Sequence, residues 1–175
     1  MSSGMQDTII PRGCIMFDFN EFSKELTRAF QPLEMTVEVD GTTVIIIDKK
    51  NKDRELVKKI KECGGAFATI SVLDNTPMVV MDMDVYKSKE GIGVLYHELG
   101  HTKDEHTINK LAKGNVMFSY RAEFFADDYA IARGHGKILA RYLEKHLFKM
   151  LLRNPLSGFF SLLLHGPRLV RIYFK

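Results

Sequence analysis

This chain of 175 residues has few cysteines, little net charge and no long apolar run, and each absence excludes a class of protein. It contains no stretch of about eighteen apolar residues, so a transmembrane helix is not predicted. Cys14 and Cys63 match no Cys-x-x-Cys metal or redox spacing, and we expect reduced thiols, with a single bridge between them as the alternative. A formal net charge of +3 is too small to indicate nucleic acid as a partner.

The composition is that of an ordinary globular protein. Hydrophobic residues make up 45% of the chain and charged residues 27%. The length predicts one domain over residues 1–175. The start, Met1 to Met5, lacks the basic and apolar regions of a signal peptide, so we expect a cytoplasmic location, or the host cytoplasm for a viral protein.

Residues 1–86 predict a small mixed β-sheet with helices. Apolar spacing and turn residues predict a helix at Asn20–Phe30, strands at Met35–Val39 and Thr43–Ile47 around the turn Asp40-Gly41, a helix at Asn51–Cys63, and strands at Ala66–Leu73 and Pro77–Asp82. The consecutive apolar residues of the last strand suit either an inner core strand or an edge that pairs with an extended substrate.

Residues 87–175 predict a helical half, which makes the fold class α+β. Ser88 is a candidate N-cap for the first of these helices. Two more follow, at about Val116–Arg133 and at Lys137–Leu152, with Gly134 as a cap between them and Pro155 as the end of the pattern. The polar stretch 103–115 is either a cleft wall or a linker, and the apolar run 159–164 has the length of a core segment.

The most informative stretch is His97 to His101, which reads His-Glu-Leu-Gly-His. On a helix, residues four apart share a face, so His97 and His101 can present ring nitrogens to one metal ion. Glu98 starts about 100° further round the turn, where its carboxylate can reach a metal-bound water without being a ligand. The stretch predicts half of a zinc site and its general base, with a surface helix carrying two solvated histidines as the alternative.

A catalytic zinc site usually takes a third protein ligand. His106 follows His101 by five residues, without the glycine that a chain reversal needs. Glu123 borders the apolar stripe of the next long helix, at the expected seam with the first, and we favour it over His106. Asp127, one turn after Glu123, suits a carboxylate that accepts the free ring N–H of a liganding histidine.

Two motifs together resemble the gluzincin metallopeptidases of the HtpX and CAAX-prenyl-protease type. The first is the stretch from His97 to His101. The second runs from Glu123 to Ala130 and matches the family pattern Glu-x-x-Ala-Asp-x-x-Ala. A weaker similarity lies at His165–Ile172, which is similar to the family's closing His-Pro segment with its Arg-Ile pair. Family members commonly carry transmembrane helices and a longer gap between the motifs, so the resemblance implies a minimal, soluble relative with a zincin-like domain.

The resemblance implies definite roles for the matched residues. The zinc ligands would be His97, His101 and Glu123, Glu98 would be the general base, and His165 would donate to the tetrahedral oxyanion. Gly166, inserted before a proline, departs from the family pattern at that position. Tyr120 is a second candidate for the oxyanion donor. The implied reaction is hydrolysis of a peptide bond by zinc-activated water.

Three functions are compatible with these residues. The first is a zinc endopeptidase acting on proteins or peptides, and the second is a regulatory protease for one repressor-like partner, as in the similar ImmA-type metallopeptidases. The third is a binding protein that keeps the metal fold without turnover, but a structural site needs no base such as Glu98. A basic stripe from Lys137 to Lys149 is interpreted as a solvated face, with docking to nucleic acid or an acidic partner as the alternative.

Overall fold

The computed structural model describes residues 35–51, 54–71, 74–112 and 119–175, without the side chains of residues 111 and 112. The predicted helix at Asn20–Phe30 and Cys14 lie outside the described residues. Cys63 is a free, exposed cysteine. The architecture is α+β, with a small mixed sheet followed by a helical half, as the sequence predicts.

The sheet has four strands in the order β1-β2-β4-β3. Its strands are β1 (Met35–Val39), β2 (Thr42–Ile47), β3 (Ala66–Ile70) and β4 (Pro77–Asp82). β1 and β2 form the predicted hairpin, whose turn residues Asp40 and Gly41 both have positive φ, at 51° and 68°. β2 and β4 are parallel, whereas β3 and β4 are antiparallel. β4 is therefore an inner strand with both edges paired, and the hypothesis that it offers an edge to a substrate is wrong. In the described part of the chain the outer strands of the sheet are β1 and β3.

Seven helices surround the sheet in the described part of the chain. They are α1 (Arg54–Glu62), α2 (Met83–Tyr86), α3 (Gly91–Lys103), α4 (Glu105–Ala112), α5 (Tyr120–Ala132), α6 (Gly136–Arg153) and α7 (Pro155–Phe174). None of the described helices is long and apolar enough to cross a membrane.

The two faces of β2 bury alternate side chains against different helices. Ile45 and Ile47 pack in a cluster with Leu56 and Ile60 of α1. Val44 and Ile46 pack in a second cluster on the opposite face, which includes side chains of α3. Both faces of the strand are therefore covered, which explains its continuous apolar sequence. The helix that carries the two histidines is thereby fixed directly on the sheet.

The helix α3 begins later than the sequence predicts. Ser88 is not its N-cap, because the Ser88 hydroxyl donates to the carbonyl of Val85 at 2.7 Å. Asp82 instead caps the short helix α2, accepting from the backbone N–H of Asp84 and Val85. The chain then turns, and α3 starts at Gly91, where an added Cβ would lie 2.2 Å from the carbonyl oxygen of Val85. Only glycine fits this close approach, so Gly91 allows the chain to turn from α2 into α3.

The sequence does not predict the helix α7, because Asn154 and Pro155 break the apolar pattern of the preceding helix. Asn154 ends α6 and also caps α7, its side chain accepting from the N–H of Ser157. Pro155 occupies the first turn of α7, where its missing N–H costs no hydrogen bond. The apolar run 159–164 does not form a core segment: five of its six side chains are 43–57% exposed.

Candidate metal centre

His97 and His101 lie one turn apart on α3 and face the same point. Their Nε2 atoms are 3.2 Å apart, and their rings meet edge to face with centroids 4.8 Å apart. Two ring nitrogens at this distance need a cation between them or a proton on one of them, because their lone pairs otherwise repel each other. The predicted pair is therefore in a geometry that a shared cation stabilises.

Glu123, in the first turn of α5, completes the group. Its Oε2 lies 3.5 Å from Nε2 of His97 and its Oε1 lies 3.5 Å from Nε2 of His101. One ligand atom from each of the three residues falls within 4.8 Å of the others, so the group can hold a metal ion. His106 lies on α4 instead, exposed, with its backbone N–H bonded to Asp104. In the described part of the chain it does not join the group, which leaves Glu123 as the third candidate ligand.

Two glycines of α3 allow its neighbours to approach closely. A Cβ on Gly100 would lie 2.6 Å from Cα of Ala126 in α5. On the other side, a Cβ on Gly93 would lie 2.6 Å from the backbone nitrogen of Leu139 in α6. Contacts below 3.0 Å require the neighbouring backbone to move. The close packing of α3 against α5 brings Glu123 within reach of the two histidines.

Asp127 lies where the sequence predicts, next to a candidate ligand. Its side chain is fully buried, and Oδ1 lies 2.9 Å from Nδ1 of His97. This contact orients the His97 ring and leaves its Nε2 directed at the candidate metal position. The Nδ1 of His101, in contrast, is buried without a hydrogen-bond partner among the described residues.

Arg168 of α7 is part of the site and was not predicted as such. Its guanidinium is bidentate to Asp127, with contacts of 2.9 and 2.8 Å, and its Nη1 lies 2.6 Å from Oε2 of Glu123. The residue is only 3% exposed. Arg168 lies on the same inward face of this apolar helix as Ser161 and Ile172. A buried arginine needs carboxylate partners. An arginine on the apolar face of a helix is therefore the sequence signal that could have identified it.

His165 and Tyr120, the two candidate oxyanion donors, are in different positions. His165 borders the same cavity as the histidine pair, and its Nδ1 lies 3.3 Å from Nη1 of Arg168. Burial and, to a smaller extent, the charge of Arg168 lower the pKa of His165, which favours the neutral ring. The hydroxyl of Tyr120 donates to the carbonyl of Leu163 at 3.2 Å, and Tyr120 is not among the residues that line the cavity.

A cavity of about 510 Å³ opens beside the three candidate ligands. Glu98 borders it without belonging to the ligand group. Burial raises the pKa of the Glu98 carboxyl, against the opposing effects of His97 and of a hydrogen bond with the Ala68 backbone. Ala66, Phe67 and Ala68 of β3 also line the cavity. The outer edge of this strand therefore lies directly beside Glu98.

The charges of the site without a metal ion are closely balanced. For His97, burial alone would lower the pKa, but hydrogen bonds to Asp127 and Glu123 outweigh it and raise the pKa to about 9. For His101, burial and the charge of His97 lower the pKa to about 4. The pKa values of the Glu123 and Asp127 carboxyls fall despite burial, because His97 and Arg168 contact both of them. Two cations thus face two carboxylates, and a bound metal ion would replace the proton of His97.

Comparison with family models, with curated proteins and with solved structures gave no match to this chain.

Proposed function

We propose that the chain is a zinc-dependent peptidase, in which His97, His101 and Glu123 hold the metal ion and Glu98 is the general base. The observation that carries the proposal is the convergence of the three ligand atoms at the wall of a cavity that also contains Glu98. A structural site usually fills four positions with protein ligands, whereas two histidines and one carboxylate leave one position for water.

The types of donor atom support zinc, which catalytic sites hold with histidine nitrogens and carboxylate oxygens. The Nε2 atoms of His97 and His101 are 3.2 Å apart, and each has a different oxygen of Glu123 at 3.5 Å. One ligand atom from each of the three residues lies within 4.8 Å of the others. When bound, zinc would polarise a carbonyl and lower the pKa of a coordinated water.

The protein's own residues would provide the remaining steps. Burial raises the pKa of the Glu98 carboxyl. Glu98 is therefore suited to take a proton from water and return it to a leaving amine. Asp127 would hold the His97 ring in orientation, and Arg168 would neutralise the carboxylates around it. His165, which lines the same cavity, would donate to the oxyanion as a neutral ring.

A peptide substrate is favoured by the position of β3. Its inner edge pairs with β4, and the described residues place no strand on its outer edge, which faces Glu98. An extended peptide that added to this edge would lie alongside the base and the candidate metal position. The resemblance of the two motifs to the HtpX and CAAX-prenyl-protease type of gluzincin supports the same reaction class.

Metal analysis and hydrolysis, measured together on purified wild type and Glu98→Gln, test the proposal. We expect one equivalent of zinc in both proteins, and hydrolysis of casein or of a quenched peptide library only in the wild type. Glu123→Ala should lose zinc affinity, while His106→Ala is the matched control and should keep it. Equal activity of Glu98→Gln, or no zinc in either protein, would overturn the proposal.

The same assay separates the two alternative functions. A protease that is specific for one repressor-like partner would bind zinc and leave casein intact, and would cleave that partner in a Glu98-dependent manner. Zinc binding without Glu98-dependent cleavage of any protein in a proteome-wide digest would identify a binding protein instead.

A further inference from the structure

The hairpin of α6 and α7 exposes large apolar side chains on both sides of its turn at Asn154. We call this group the apolar tip. Its six members are 54–71% exposed, and they are Phe148, Leu152, Leu156, Phe159, Phe160 and Leu163. Soluble monomers rarely expose so many large apolar residues together, and such patches usually mark an interaction surface.

The packing of this hairpin inverts the usual amphipathic pattern. Small residues of α7, Gly158 and Ser161, face α6 and are buried. A Cβ on Gly158 would lie 2.5 Å from Cα of Leu151, so the two helices are in backbone contact. The large phenylalanine and leucine side chains point outwards instead. Helices pack in this way, with small residues between them and large apolar ones outside, where the surroundings are themselves apolar.

The charge distribution indicates which apolar surroundings are suitable. Residues 136–175 contain eight of the 25 lysines and arginines but only one of the 22 acidic residues, Glu144. The segment therefore has a formal net charge of +7, whereas residues 1–135, with 17 basic and 21 acidic residues, have −4. Four of its cations pair with carboxylates outside the segment; they are Lys145, Arg168, Arg171 and Lys175. Lys149 and Arg153, beside the tip on α6, are exposed and form no ion pair within the described residues.

We propose that the apolar tip inserts into the surface of an anionic lipid bilayer, with Lys149 and Arg153 contacting the lipid headgroups. Apolar side chains flanked by lysine and arginine are the pattern of helices that lie in the membrane interface without crossing it. A second copy of this chain is a poorer match for the tip, because Lys149 and Arg153 beside it would meet their own copies. The proposal is independent of the zinc chemistry, because the six tip residues lie outside the ligand group.

Vesicle co-sedimentation of the full chain tests this proposal. The probes are phosphatidylcholine vesicles with and without about a third of phosphatidylserine. We expect binding to the anionic vesicles, with a loss of at least about tenfold for Phe159→Ser combined with Phe160→Ser. Lys149→Glu combined with Arg153→Glu should weaken binding by about fivefold or more per residue and reduce its salt dependence.

Matched controls lie elsewhere on the surface. Ile92→Ser removes an apolar side chain that is 40% exposed, and Lys89→Glu reverses an exposed charge; neither should alter vesicle binding. Circular dichroism and zinc content should be unchanged in every variant. Absence of binding to anionic vesicles would overturn the proposal, as would equal binding by the tip variants. A dimer in light scattering that Phe159→Ser and Phe160→Ser dissociate would assign the tip to a second copy instead.

Discussion

Among single residues, Arg168 has the largest electrostatic role, because it contacts the candidate ligand Glu123 and also Asp127, the carboxylate beside His97. Replacing it by methionine, as Arg168→Met, would leave Asp127 and Glu123 buried with His97 as their remaining cation. We expect the free energy of unfolding of the metal-free protein to fall by about 3–5 kcal/mol, as when one partner of a buried ion pair is removed. Urea denaturation in the presence of a chelator measures this change.

Arg171→Met is the matched control on the same helix. The guanidinium of Arg171 binds Asp128 at 2.7 Å, but both side chains are 36% exposed. Its loss should cost no more than about 1 kcal/mol. Equal destabilisation by the two substitutions would contradict the assignment of a central role to Arg168.

The ligand group was predictable from sequence because helical spacing determines it. His97 and His101 share a face by their separation alone, and the four-residue step from Glu123 to Asp127 places both carboxylates on one side of α5. Arg168 was not predictable in the same way, because it lies 41 residues after Asp127 and meets it through the packing of α7. Residues that join a site from a distant element require the tertiary fold.

At the scale of elements, the contact between α3 and α5 is the one on which the site depends. Gly100→Ala would put a methyl group 2.6 Å from Cα of Ala126 and force the two helices apart. Overpacking of this kind costs about 1–3 kcal/mol, and the displacement of α5 would carry Glu123 away from the histidines. We expect both a lower free energy of unfolding and a weaker zinc affinity, measured by denaturation and by competition with a chelator.

Gly166→Ala is the natural comparison for this substitution. Gly166 also lies within a helix, but a Cβ there would meet nothing within 4 Å. Alanine at that position should stabilise the protein by up to about 1 kcal/mol through helix propensity alone. If Gly100→Ala were equally stabilising and kept full zinc affinity, the close approach of α3 and α5 would not be what positions Glu123.

Element boundaries were less predictable than element types. The hairpin of β1 and β2 and the helices α1, α5 and α6 lie close to their predicted ranges, because apolar periodicity and glycine signals mark them. The sequence does not predict the short helix α2, because Asp82 ends a strand and also caps this helix. It does not predict α7, because a proline can end one helix or occupy the first turn of the next. The order of strands, which puts β4 inside and β3 at the edge, follows from long-range pairing that periodicity does not encode.

For the molecule as a whole, stability and metal binding should be linked through protons. The pKa of His97 is raised from 6.5 to about 9, so in the metal-free protein its contribution to stability is fully present below pH 6.5 and is lost as the pH rises through 9. The pKa of His101 is lowered from 6.5 to about 4, so its protonation favours unfolding as the pH falls from 6.5 towards 4. The lowered pKa values of Asp127 and Glu123 add to this acid-side loss. Together these shifts predict a maximum of metal-free stability near pH 6.5.

Bound zinc should abolish the loss of stability that the metal-free protein shows above pH 6.5. Because the metal binds His97 only after its proton has left, zinc affinity should rise by up to about tenfold per pH unit between pH 6.5 and 9. We therefore expect the melting temperature of chelator-treated protein to fall from pH 6.5 to 9, and that of zinc-loaded protein to stay constant or rise. Asp127→Asn, which removes a carboxylate that raises the pKa of His97, should flatten the metal-free curve over that range. A metal-free protein whose stability rises steadily to pH 9 would show that His97 is neutral in the free site, and that zinc displaces no proton there.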